Sequence, residues 1–177
     1  MNFHFEPQDQ ASLAPRVLAA ADWRIDPRQV IDALVAHDQG EPRSDFGLLV
    51  PALLPGLDWI GDPFASRPCA ERQLLALREL GGEAGISIGT GSVGDPEFGT
   101  AIDDALSGWP ADAILIVTRR RPALFRPLVL ARRVSRHTGL PVSHVGLSRA
   151  ASSAAAGPGL LRTAPRCEAV RQPAALA

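Results

Sequence analysis

Short apolar runs alternate with amphipathic stretches over residues 16–147, and a cap or a breaker marks most of the transitions. Arg16–Ala21 (RVLAAA) is apolar throughout after its first residue, as a strand buried on both faces requires. Asp26 followed by Pro27 predicts a helix start, with an oxygen-bearing N-cap and proline in the first turn. Val30, Ile31, Leu34 and Val35 then fall on one face. Residues 46–53 (FGLLVPAL) predict a second buried strand that Pro51 ends early or sets near an edge. Beyond a long loop at 54–68, a helix is expected over 70–80 with Leu74, Leu75 and Leu77 inward, stopped by Gly81 and Gly82. Residues 84–88 (AGISI) predict a short third strand. The glycine run after it is expected to turn tightly into a helix capped by Asp95, with Pro96 first and Ile102, Ala105 and Leu106 buried. Residues 113–118 (AILIVT) give the strongest strand signal. A helix follows over 122–137, kinked or delayed by Pro127, with Leu124, Leu128 and Val134 inward, and Val142–Leu147 supplies a fifth strand.

Five strands separated by four helices predict a doubly wound α/β domain over 16–147: a five-stranded parallel sheet in a Rossmann-like, three-layer α/β/α sandwich. Residues 1–15 read as a flexible N-terminal segment. Residues 148–177, rich in Ala, Pro, Ser and Gly without a period, read as a disordered tail.

Composition narrows the chemistry. The 177 residues are 46% apolar, enough for one sizeable core. All 18 basic residues are arginine and tyrosine is absent, which excludes the P-loop lysine, Schiff-base chemistry and a Tyr/Lys proton-transfer pair. Cys69 and Cys167 stand far apart, form no ligand spacing with the four histidines, and read as reduced thiols. No apolar run approaches the ~20 residues of a membrane span, and the N-terminal stretch lacks a signal-peptide pattern, so a cytoplasmic protein is expected. Residues 1–118 carry seven Arg against 18 acids, whereas 119–177 carry eleven Arg against Glu168 alone. Either the two halves neutralise each other in the fold, or the basic half docks an acidic partner. Phe125 is the only aromatic ring of the basic half, so base stacking, and with it nucleic-acid binding, is not expected.

Parallel sheets bind ligands beyond the carboxyl ends of their strands, at the switch in strand order. Asp22, Trp23 and Arg24 follow the first strand, and Asp58, Trp59, Asp62 and Phe64 lie in the loop after the second. Residues 89–94 (GTGSVG) follow the third, and Thr118, Arg119, Arg120 and Arg121 the fourth. The glycine run fits G-x-G-x-x-G, but a dinucleotide fingerprint starts its helix inside the motif. Here Asp95-Pro96 delays the helix and sets a carboxylate where a pyrophosphate needs amide donors. An oxidoreductase using residues 89–94, with Arg119 and Arg120 on a 2′-phosphate, is therefore the alternative reading. The arginine triplet points to an anion, since guanidinium groups near a helix start favour one. No catalytic set emerges. His37 and His137 sit at helix ends that favour imidazolium. His144 lies within a strand and reads as a hydrogen-bonded structural residue, and the adjacent Asp103 and Asp104 diverge by ~100° on their helix.

The segment Val93-Gly94-Asp95-Pro96, Ala101-Ile102, Ala105 and Ala111-Asp112-Ala113-Ile114-Leu115-Ile116-Val117 resembles the second half of a universal stress protein. In that family a strand, a G-[DS]-P turn, a helix and an A-D-x-I-V-[VM] strand follow in this order. Val17-Leu18-Ala19-Ala20-Ala21-Asp22 resembles the family's first strand and the aspartate that contacts nucleotide in ATP-binding members, and Leu140-Pro141-Val142 resembles its closing strand. The chain is still more similar to small actinobacterial proteins of this type, with LLVPA, GDP and GLPVTHV segments. The resemblance implies a non-enzymatic stress-response or regulatory protein that dimerises through Val142–Leu147 and takes an ATP- or AMP-type nucleotide or another small anion. The candidate ligand surface is Asp22, Gly89, Gly91, Thr118, Arg119 and Arg120. One departure stands out. ATP-binding members follow the fourth strand with glycines, whereas residues 118–125 (TRRRPALF) contain none, so side chains stand where backbone would close on the phosphates.

Overall fold

The computed structural model describes residues 14–38, 43–53, 65–119 and 127–147. Arg120, Arg121, Leu124, the residues 58–62 of the long loop, and the expected tail at 148–177 lie outside them. The chain runs β1 (Arg16–Ala21), α1 (Pro27–His37), β2 (Asp45–Pro51), α2 (Arg67–Glu83), β3 (Ser87–Gly94), α3 (Phe98–Gly108), β4 (Ala113–Arg119), α4 (Pro127–Thr138) and β5 (Val142–Leu147). All strand pairs are parallel, in the order β3-β2-β1-β4-β5. This is the doubly wound architecture that the continuous apolar strands demand.

Strand parity divides the core into two layers. Val17, Ala19 and Ala21 of β1 point to one face, where Leu34 of α1 and Leu77 of α2 cover them. Leu18 and Ala20 point to the other, under Ile102 of α3 and Val134 of α4. β1 and β4 lie at the centre, and Leu18, Leu115 and Ile116 are at most 1% exposed. Each such side chain contributes about 1.5–3 kcal/mol of burial.

Helix ends follow from local chemistry. Asp26 caps α1, its carboxylate accepting from the Arg28 N–H at 2.9 Å. α2 runs three residues past its expected end, through Gly81 and Gly82. Its stop is instead Gly85 at φ +70, with the Ile86 N–H donating to the Gly81 carbonyl (3.0 Å) and the Gly85 N–H to Gly82 (3.2 Å). Gly81 remains helical while the turn reverses four residues later, where only a left-handed residue fits. α4 is described from Pro127 to Thr138, and residues 122–126 of the expected helix lie outside the described residues.

The third strand departs most from expectation. Residues 89–94 are not a turn; they are the body of β3. The glycines are there because helices press on both sides of this edge strand. A Cβ at Gly94 would lie 2.6 Å from Ala101 Cβ of α3, and one at Gly91 2.9 Å from Leu74 Cδ1 of α2. The Arg78 Nη2 also reaches across to donate to the Gly91 carbonyl at 3.2 Å. The next helix consequently starts later, at Phe98. Glu97 rather than Asp95 is its N-cap, accepting from the Thr100 N–H at 2.6 Å. Two side chains expected inward are exposed, Val35 (44%) and Leu75 (65%), because each lies at the margin of its helix's apolar stripe.

The acidic and basic halves meet in the α3/α4 layer. The His137 Nε2 of α4 pairs with Asp103 Oδ2 of α3 at 2.8 Å. The Glu97 carboxyl is held below its usual range, chiefly by the Thr100 N–H and hydroxyl and least by the charge of Arg133.

Candidate functional site

The crossovers from β1 and β4 leave toward opposite faces of the sheet, which opens a crevice where these neighbouring strands end. Asp22 follows β1 and continues its pairing with β4, its N–H donating to the Val117 carbonyl at 3.2 Å. It is 6% exposed. Its carboxylate turns back onto its own chain. Oδ1 accepts from the Arg24 N–H (3.0 Å) and Nε (2.8 Å), and Oδ2 from Arg24 Nη2 (2.6 Å). The backbone bond is an Asx-type turn, and the two guanidinium bonds are the bidentate pairing that fits a carboxylate best. The carboxylate raises the Arg24 pKa above its ordinary value, against the lowering effect of burial.

The same loop is fixed from several directions. The Arg24 guanidinium stacks on Trp23, 5.8 Å from the ring centroid. Trp23 Nε1 donates to the Leu53 carbonyl at 3.0 Å, and Gln73 Nε2 of α2 donates to the Ile25 carbonyl at 2.9 Å. From the other side of the crevice, Arg119 Nη2 donates to the Arg24 carbonyl. Thr118 shares a 2.7 Å hydrogen bond with Nε2 of His144 on β5. Burial holds that imidazole below its ordinary pKa. The expectation that His144 is a bonded structural residue agrees with this contact.

The structure therefore brings together three of the six residues of the expected ligand surface: Asp22, Thr118 and Arg119. Gly89 and Gly91 are elsewhere. They stand on β3, two strand spacings from β1, roughly 10 Å away. Gly91 pairs with Leu48 in mid-sheet, and Gly89 lies against Asp45 at the amino end of β2. Arg120 lies outside the described residues. The glycine run also lacks the strand–loop–helix setting of a dinucleotide fingerprint, because it is strand throughout. Arg24, placed after the first strand but not counted in that surface, is the residue that engages Asp22. Its signal was present as an arginine two positions after the aspartate, the spacing that lets one turn hold both. Among the described residues, no group of three or more His, Cys, Asp or Glu could hold a metal, and no helix is long and apolar enough to cross a membrane.

No family model matches the sequence, and no curated protein matches it. A solved structure does. A protein of the universal stress protein family from Burkholderia pseudomallei superposes with a TM-score of 0.50 at 17% identity, over 77% of this chain and 98% of that one. At this identity the likeness speaks for architecture. The sheet order, the two helical layers and the crevice at β1 and β4 together give this chain a universal stress protein-like fold.

Proposed function

We propose that this is a non-enzymatic regulatory protein of the universal stress type, whose β1/β4 crevice takes a small anion through side chains. The observation that carries this reading is the engagement of Asp22. The aspartate that the family resemblance assigns to nucleotide has both oxygens bound by Arg24, and Arg119 closes onto the same loop. Arg24 commits Nε and Nη2 to Asp22 and keeps Nη1 available, so an oxyanion at the crevice can bridge it to Arg119 without breaking the buried pair. A phosphate monoester or nucleotide phosphate fits that chemistry. Among the described residues no carboxylate orients His144, so the Thr118–His144 bond lacks the third member of a nucleophilic triad.

Dimerisation is part of the proposal. β5 is an edge strand, and Val145 and Leu147 are only partly covered by the α1/α2 core, which leaves a half-covered edge for a second copy. Native mass spectrometry of freshly purified protein, followed by calorimetric titration with inorganic phosphate, AMP and ATP, tests both parts. The expected result is a dimer that binds at least one of these anions, with binding weakened by Arg119→Gln. A monomer with no affinity for any of the three overturns the reading.

A further inference from the structure

We propose a second ligand site, at the carboxyl ends of β2 and β3, for a small aliphatic zwitterion of the α-amino acid type. A cavity of about 270 Å³ opens there between the start of α2 and the face of α3. This is below the ~300–1,000 Å³ that accommodates drug-sized ligands, so its occupant is smaller than a nucleotide. The room comes from small side chains. Ala101 and Ala105, one turn apart on α3, and Gly94 on β3 line it, with Leu49 and Ala52 as apolar floor.

The charges around this floor are of both signs and come from opposite layers. Arg67, the first residue of α2, lines one side, whereas Asp95 and Asp104 line the α3 side. α2 and α3 pack on different faces of the sheet, so Arg67 reaches the cavity over the sheet's end. All three groups keep binding capacity. Arg67 contacts Glu71 at 3.2 Å, but both side chains are more than half exposed, and such an i,i+4 pair holds a guanidinium weakly. Asp95 spends Oδ1 on the Glu97 N–H (2.7 Å) and retains Oδ2. The Asp104 carboxylate makes no hydrogen bond or ion pair among the described residues.

A ligand matching this arrangement offers a carboxylate to Arg67, an ammonium to Asp95 and Asp104, and an aliphatic side chain to Leu49, Ala52 and the two alanines. A polyanion is repelled by the aspartates, and a simple amine leaves Arg67 without a partner. The site lies on β2 and β3 and shares no residue with the β1/β4 crevice, so each stands or falls alone.

The test uses the full chain and three probes that share one branched aliphatic chain: L-leucine, 4-methylpentanoate (no ammonium) and 3-methylbutylamine (no carboxylate), titrated by calorimetry. The expected result is binding of leucine, with either analogue at least about tenfold weaker, the loss of one charge-assisted hydrogen bond. Arg67→Gln should abolish the preference for leucine over the amine, and Asp104→Asn should reduce the preference over the carboxylate. Both positions are exposed, and unchanged circular dichroism and urea unfolding midpoints would show the variants intact. No heat with leucine, or equal binding of the amine and leucine to the parent protein, overturns the proposal.

Discussion

Replacing Arg24 by alanine probes the physical basis of the crevice. The substitution removes the two guanidinium bonds to Asp22, a residue 6% exposed in the parent, and leaves its carboxylate with the residue 24 backbone N–H as donor. Breaking a buried ion pair from one side costs about 3–5 kcal/mol, because the stranded charge keeps its desolvation penalty. Arg24 itself retains 21% exposure, so water can reach part of the vacated space. That places the cost near the lower end, about 3 kcal/mol, or roughly 6–12 °C in Tm for a domain of this size. Urea unfolding at neutral pH, with the parent in parallel, measures it. Two further results belong to the same reasoning. Asp22→Asn in the Arg24→Ala background should recover much of the loss, since no charge is then stranded. The deficit of the single variant should also shrink as pH falls through the carboxylate range. A buried carboxylate stripped of its guanidinium partner costs stability while it is charged and ceases to do so once it is neutral. An Arg24→Ala protein that melts within about 2 °C of the parent at pH 7 would refute the claim that this pair is a buried, mutually dependent unit.

Other outcomes follow from single positions. Gly94→Ala is expected to cost about 1–3 kcal/mol by overpacking, because the new Cβ meets Ala101 Cβ at 2.6 Å and that alanine has no side-chain freedom to yield. Gly82→Ala, inside α2 with nothing within 4 Å of the added atom, should stabilise by about 0.5–1 kcal/mol; denaturant midpoints compare the two. Burial depresses the His144 pKa, so the unfolded chain binds that proton more readily and stability falls as pH drops below about 6.5. His144→Gln should flatten this part of the profile relative to the parent, and an identical slope would count against it. Val145→Arg puts a charge on the proposed dimer strand; if it sediments as the parent does, the interface lies elsewhere.

What the sequence made legible was decided by which residues carry a periodic signal. β1 and β4 announced themselves because continuous apolar runs have few alternative uses, and Asp26-Pro27 is unambiguous punctuation. β3 was misread because its residues are selected by what presses on them. SIGTGSVG shows neither alternation nor apolarity, since Leu74, Arg78 and Ala101 occupy the space its side chains would fill. No pattern within the segment encodes that pressure. At the crevice, Asp22, Thr118 and Arg119 were reachable from topology alone, because residues just past neighbouring strands must meet. The capture of Asp22 by Arg24 depends on the geometry of one turn, which spacing permits but does not dictate.

The contact between Arg78 and the Gly91 carbonyl has a consequence for how copies of this protein can associate. A sheet with two open edges can add neighbours at both, and head-to-tail addition that does not close on itself grows into a filament. On β3 a cation already occupies one of the backbone acceptors that an incoming strand would need, and charge on an edge opposes strand addition. Among the described residues the two edges therefore differ: β3 carries a guanidinium on a carbonyl, and β5 carries none. Association restricted to one edge must use the same edge on both partners, and a two-fold pairing of that kind has no free end from which to propagate. With the proposed pairing at β5, a cation on the β3 edge favours a closed pair over a growing chain.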